Sequence, residues 1–145
     1  MGNLGDPETL LRSRGMRVTQ PRLAVVAVLE RARLAGDHLT VAEVVERTRE
    51  ILGRLSTQTV YDCLLAMSDA GVVRRVDLPG SPARFETRVG DGHHHHVCQQ
   101  CGAVHNVDCS NPAADCLEPQ LPTGATIDFT EVVYWGLCTR CARRA

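Results

Sequence analysis

Two Cys-x-x-Cys pairs, Cys98–Cys101 and Cys138–Cys141, stand 36 residues apart near the end of a 145-residue sequence. Each pair can form a knuckle that turns two thiolates toward one ion at tetrahedral angles, and two knuckles close a four-sulfur zinc site. A single pair could be a redox couple; two in one short segment favour a structural ion. The segment also needs such a staple. Roughly 55 residues follow the glycine-rich stretch Arg88–Gly92, too few to cohere through an apolar core alone. Folding of this part should therefore be coupled to zinc binding. A closed four-thiolate site keeps no open coordination position and performs no catalysis.

Seven cysteines, with no basic-then-apolar leader and no apolar run of the roughly 18 residues that would span a bilayer, fit a cytoplasmic protein whose thiols serve metal or redox chemistry. Of the other three, Cys63 reads as a packed small hydrophobe, while Cys109 and Cys116 are candidates for a reversible disulfide. All sixteen basic residues are arginine. The net charge of −1 is unevenly divided, +2 over residues 1–75 and −3 over residues 76–145. The small asymmetry turns the N-terminal part toward an anionic partner.

Residues 7–71 carry helical periodicity. A short helix over Leu10 and Leu11 ends near Gly15. A second starts with Thr19 as cap and Pro21 in its first turn, with Leu23, Val26, Ala27 and Leu29 as its buried stripe. Thr40 and Glu43 form a capping box for a third. A fourth, "STQTVYDCLLAMSDAG", opens at Ser56 and stops at Gly71, with Val60, Leu64, Leu65 and Met67 facing the core. "VVRRVDL" and "ARFETRV", joined by "PGSP", then read as a two-stranded hairpin. Helices followed by such a hairpin make a winged helix-turn-helix. The expected class is α+β: a winged-helix domain over 1–87, a hinge over 88–92, and a small α/β domain over 93–145. In the latter, "HHHHV", "AVHNVDC" and "TEVVYWGLC" read as strands and "PAADCLE" as a weak helix.

Four consecutive histidines, His93–His96, precede the first knuckle. On a strand, alternation sends His93 and His95 to one face and His94 and His96 to the other. One pair can chelate an ion while the other packs or meets solvent. His38, in the "GDHLT" loop, and Glu86, on the second wing strand, are further candidates. Two imidazoles plus a carboxylate suit Fe(II), Mn(II) or Zn(II). A zinc hydrolase of the nucleobase-deaminase type would need an H-x-E before a P-C-x-x-C motif, and the sequence has neither. A zinc-stapled interaction module without DNA binding would leave the "STQTVYD" helix without a role. The protein is not expected to be an enzyme.

Taken in order, "RVTQPR", "STQTVYDCLLAMSDAGVV", "ARFETR", "HHHHVCQQCG" and "YWGLCTRC" resemble the ferric uptake regulator (Fur) family across nearly the whole chain. Within it, the "VYD", "ARFETRVGD" and "VDC…CL" segments are similar to the actinobacterial FurA branch, close in chemistry to the peroxide-sensing PerR repressors. The resemblance implies a cytoplasmic homodimer that represses genes by binding inverted-repeat operators in double-stranded DNA. It places the fourth helix in the major groove, Tyr61 on bases, Arg17 and Arg22 on phosphates, and Ser56, Gln58 and Thr59 at the same interface. Asp62 stands where enterobacterial Fur proteins carry an arginine, which implies a different recognised sequence.

The same resemblance assigns Cys98, Cys101, Cys138 and Cys141 to structural zinc, and His38, Glu86, His93 and His95 to a regulatory Fe(II) or Mn(II). A fifth ligand, an aspartate in peroxide sensors, falls at Asn106; a neutral amide leaves the site one charge short unless Asp108 substitutes. An accessory third metal site does not carry over, its positions being Gly92, His94, Ala113 and Thr130. The implied signal is peroxide, with catalase-peroxidase and other oxidative-stress genes as targets. The alternative is repression that reports metal supply alone.

Overall fold

The computed structural model describes residues 6–87, 93–108, 120–127 and 130–144. Two compact units make up the chain, Met1–Val89 and Gly90–Ala145. The hinge expected at 88–92, the helix expected around "PAADCLE", and both Cys109 and Cys116 lie outside the described residues. Among the described residues no helix is long and apolar enough to cross a membrane.

In the first unit, side-chain oxygens start every helix. Asp6 accepts from Thr9 N–H to open α1 (Pro7–Ser13), and Thr19 accepts from Arg22 N–H to open α2 (Gln20–Ala35). Thr40 does the same for α3 (Val41–Leu52) and Ser56 for α4 (Thr57–Asp69), each satisfying an orphan first-turn donor. Gly36, at φ 77°, closes α2 in a left-handed conformation that costs glycine little.

These helices enclose Leu11, Val25, Val26, Leu29, Val44, Val60, Leu64, Met67 and Val72 in one core with Phe85. Two details differ from the expected stripes. Leu65 is 38% exposed, because Val60, Leu64 and Met67 define the inner face of α4 and the next residue round the helix points away. On α2, Leu23 and Ala27 are only partly buried while Val25 and Val28 are fully inside. That helix packs against α1, α3 and α4 and so buries more than one stripe.

The wing is also larger than a hairpin. Strands β2 (Arg74–Val76) and β3 (Arg84–Glu86) pair antiparallel, and a third short strand, β1 (Leu39–Thr40), joins the other side of β3. Its register pairs Leu39 with Phe85 and Thr40 with Arg84. A two-residue strand just ahead of a helix has no periodicity to betray it in the sequence.

The second unit is a three-stranded sheet ordered β5-β4-β6: β4 (His94–Cys98) in the centre, β5 (Val104–Val107) antiparallel to it and β6 (Val133–Gly136) parallel. A one-turn helix, α5 (Thr139–Ala142), follows. Cys98, Cys138 and Cys141 are themselves its buried cluster, with Ala103 packed alongside.

Phe85→Ala empties the centre of the first core and is expected to cost about 3–5 kcal/mol, read from urea unfolding of the helical signal. Leu65→Ala, on the outer face of α4, should cost a small fraction of that.

Candidate metal centres and nucleic-acid interface

The two knuckles meet. Cys98 ends β4, and the turn to β5 is closed by Gly102 N–H donating to the Cys98 carbonyl at 2.9 Å, which brings Cys101 back over the strand end. Cys138 caps α5, its sulfur accepting from Cys141 N–H at 3.4 Å. The strands align the pairs, since Cys98 is the register partner of Gly136. All four sulfurs lie within 4.8 Å of one another, and Cys101 and Cys138 are 3.8 Å apart. Tetrahedral zinc with Zn–S bonds of about 2.3 Å requires sulfurs about 3.8 Å apart, so the quartet fits that ion.

Local donors bias the thiols unequally. Backbone N–H groups, that of Cys101 foremost, lower Cys98 to about 5. The Cys141 N–H lowers Cys138. Cys141 is pushed up to about 12, first by its hydrogen bond to the Cys138 sulfur and then by burial. Cys98 and Cys138 are thus biased toward the thiolate that an ion takes. Cys63, buried on α4, is also raised, chiefly by desolvation, which agrees with a packed and inert thiol.

Each unit carries a further set of metal-type donors. In the first, the β1–β3 register runs one step back from Leu39 and Phe85 to set His38 opposite Glu86. His38 Nε2 is 3.2 Å from Glu86 Oε2, both residues being buried. His38 lies in the loop, as read from the sequence, directly before β1, and Arg84 donates to its carbonyl at 2.8 Å.

In the second unit, the strand alternation expected for the histidines is present. His93 and His95 are buried on one face with ring centroids 4.9 Å apart. His94 points oppositely and accepts from Val132 N–H through Nδ1 at 3.1 Å. His96 and His105 face each other across β4 and β5, centroids 6.3 Å apart. Asn106 pairs with His95, and partners across a ladder share a face. Asp108, two residues on, lies just past the end of β5. Sequence reasoning missed one member: Glu131, with Oε1 3.5 Å from His95 Nδ1. Only the parallel pairing of β6 with β4 brings it there.

On the first unit, α4 presents the residues singled out for DNA. Ser56, Gln58 and Thr59 are found at its N-terminal turn, the first two exposed, and Thr59 and Tyr61 are partly exposed. Gln58 donates to Asp62 at 2.8 Å, one turn on. Asp77, and to a smaller degree the Tyr61 hydroxyl, raise the Arg75 guanidinium. Arg22 reaches the Arg17 carbonyl at 2.8 Å, and these two arginines line a cleft of about 400 Å³ with Thr59 and Asp62.

The profile of the ferric uptake regulator family matches residues 13–117. "Ferric uptake regulation protein 1" of Mycolicibacterium fortuitum is 49% identical over 127 residues, covering 87% of this chain and 76% of its own. "Transcriptional regulator FurA" of Mycobacterium tuberculosis is 41% identical over 142 residues, 98% of this chain and 94% of its own. Among solved structures, the Vibrio cholerae ferric uptake regulator superposes with a TM-score of 0.70 at 25% identity, covering 92% of this chain and 100% of that one.

Cys98→Ser removes one sulfur of four. Expected outcomes are loss of zinc by metal analysis and loosening of the second unit, seen in the fluorescence of Trp135, the single tryptophan. A zinc-free variant with an unchanged unfolding midpoint would contradict the staple. Lower pH acts in the same direction, because protons compete with the ion for the same sulfurs, so chelators should strip zinc faster as pH falls.

Proposed function

Because the chain belongs to the ferric uptake regulator family, we propose that it represses transcription as a homodimer on inverted-repeat operator DNA, under control of a regulatory Fe(II) or Mn(II). Proteins of this family are metal-responsive transcriptional regulators rather than enzymes, and this chain is one of them. The cytoplasm is its proposed setting. Zinc on Cys98, Cys101, Cys138 and Cys141 is the structural ion. His38 and Glu86 of the first unit, with His93 and His95 of the second and a further ligand at Asn106 or Asp108, are the proposed sensing ligands.

The observation that carries this reading is the buried His38–Glu86 pair, 3.2 Å apart beside the wing sheet. A neutral imidazole and a carboxylate at that spacing are donors that intermediate divalent ions accept. When bound, the ion supplies a charge that several ligands can share. The residues do the rest. The β1–β3 pairing fixes His38 and Glu86 to the winged-helix unit, so occupancy of the site biases the pose of α4. On DNA, the N-terminal turn of α4 enters the major groove, where Gln58, steadied by Asp62, and Tyr61 read base edges. Arg17 and Arg22 hold phosphates. Support for the dimer comes from β6, an outer strand of its sheet, whose Tyr134 and Trp135 are more than 40% exposed.

Peroxide sensing is the finer proposal. His38, Glu86, His93 and His95 would hold Fe(II), which would supply the reduction of peroxide. A ligand such as His38 or His93 would then gain one peroxide oxygen on its ring, the other leaving as water, and would cease to bind. Relief of repression of catalase-peroxidase and other oxidative-stress genes would follow. Gel shift on the protein's own upstream region, under reducing conditions, should require Fe(II) or Mn(II). No metal-dependent shift would remove the repressor reading. With Fe(II), peroxide should abolish the shift and add oxygen to a histidine by mass spectrometry. An unmodified, still-bound protein assigns it to metal supply alone. Arg17→Ala should weaken binding evenly across sequences and reduce the slope of log affinity against log salt by about 1.

A further inference from the structure

We propose that Glu131, on the β6 side of the sheet, supplies the carboxylate that position 106 lacks. This rests on His93 and His95 serving the regulatory ion. The sheet register carries the inference. His95 at the centre of β4 pairs with Asn106 on β5 and, in parallel, with Val133 on β6. Two residues before Val133, Glu131 stands on the His93–His95 face. Among the described residues of the second unit, the carboxylates are Asp108 and Glu131.

Glu131 is in contact with His95. Glu131 Oε1 is 3.5 Å from His95 Nδ1, with the glutamate 26% exposed and the histidine fully buried. Two ligands held at about 2.1 Å from one ion are about 3.0 Å apart at right angles and about 3.4 Å apart at tetrahedral angles. The observed 3.5 Å lies next to the tetrahedral value, a spacing at which both groups can reach one ion. A carboxylate here restores the negative charge that an amide at 106 withholds, and gives Mn(II) or Fe(II) the hard oxygen it favours. The anionic ligand has crossed the central strand, from the β5 neighbour of His95 to the β6 side.

Mn(II) binding to the full-length, zinc-loaded protein tests this, by competition with a fluorescent chelator and by the Mn(II) electron paramagnetic resonance spectrum. Loss of even an outer-shell partner costs affinity about 10–100-fold, so Glu131→Gln should weaken Mn(II) by about tenfold or more. The amide introduced by that substitution keeps the length and shape of the side chain while removing its charge, so the drop reports ligation and charge. Asp108→Asn, at the alternative ligand position, should lose less Mn(II) affinity than Glu131→Gln. Adding Asn106→Asp to Glu131→Gln should return affinity to within a few-fold of native, which a variant that had merely misfolded would not do. Native affinity in Glu131→Gln, or loss in Asp108→Asn instead, overturns the assignment to Glu131. His93→Ala separates the two levels. If it binds Mn(II) normally, the sensing site itself is wrong; if it loses Mn(II) while Glu131→Gln does not, only Glu131 fails.

Discussion

Convergence of four sulfurs on one point governs the second unit, because its three strands bury too little to hold their own alignment. Cys98 ends β4 and Cys138 follows β6, so an ion shared by their pairs locks the parallel register of those two strands. That register decides which histidines look which way. A slip of one residue would exchange His93 and His95 for His94 and His96 on the ligand face. It would also carry Glu131 away from His95. An ion held there would thus also fix which histidines and which carboxylate face one another several residues up the strand.

A different device prepares the first unit. Its core is apolar, and its donors come from one end of the sheet: His38 directly precedes β1 and Glu86 ends β3, the central strand. The same β3 carries Phe85 into the core, one residue before Glu86, so the carboxylate rides on the most deeply anchored strand of the wing. A ligand mounted in this way passes displacement to the helices with little slack, since packed cores deform poorly.

Much of this was legible in the sequence because it lives in local chemistry. Thr19, Thr40 and Ser56 announced helix starts through hydroxyls that satisfy backbone donors, and all three do so. The CxxC spacing announced four sulfurs brought together, and they are. What stayed hidden depends on partners far along the chain. Strand β1 exists only because Phe85 and Arg84 offer it an edge. Leu65 is as apolar as Leu64, and its exposure follows from where neighbouring helices lie. Glu131 was invisible for the same reason: parallel pairing of strands almost forty residues apart leaves no periodic mark.

The division of ligands between units bears on what kind of sensor this chain can be. A ligand shifts a conformational equilibrium only by its difference in affinity between the states. An ion served by His93, His95 and Glu131 alone would bind equally in every pose of the winged-helix unit and report nothing to DNA. His38 and Glu86 convert binding into control, on the proposed reading, because their contribution depends on that pose. The two sets then have separate tasks. On that reading, carboxylates and imidazoles of the second unit would set how tightly the metal is held, while the His38–Glu86 pair would set how much of that affinity is spent on repositioning α4. Substitutions in the second unit should therefore move the metal concentration at which repression begins, and substitutions at His38 should uncouple a metal that still binds from the DNA it would otherwise secure.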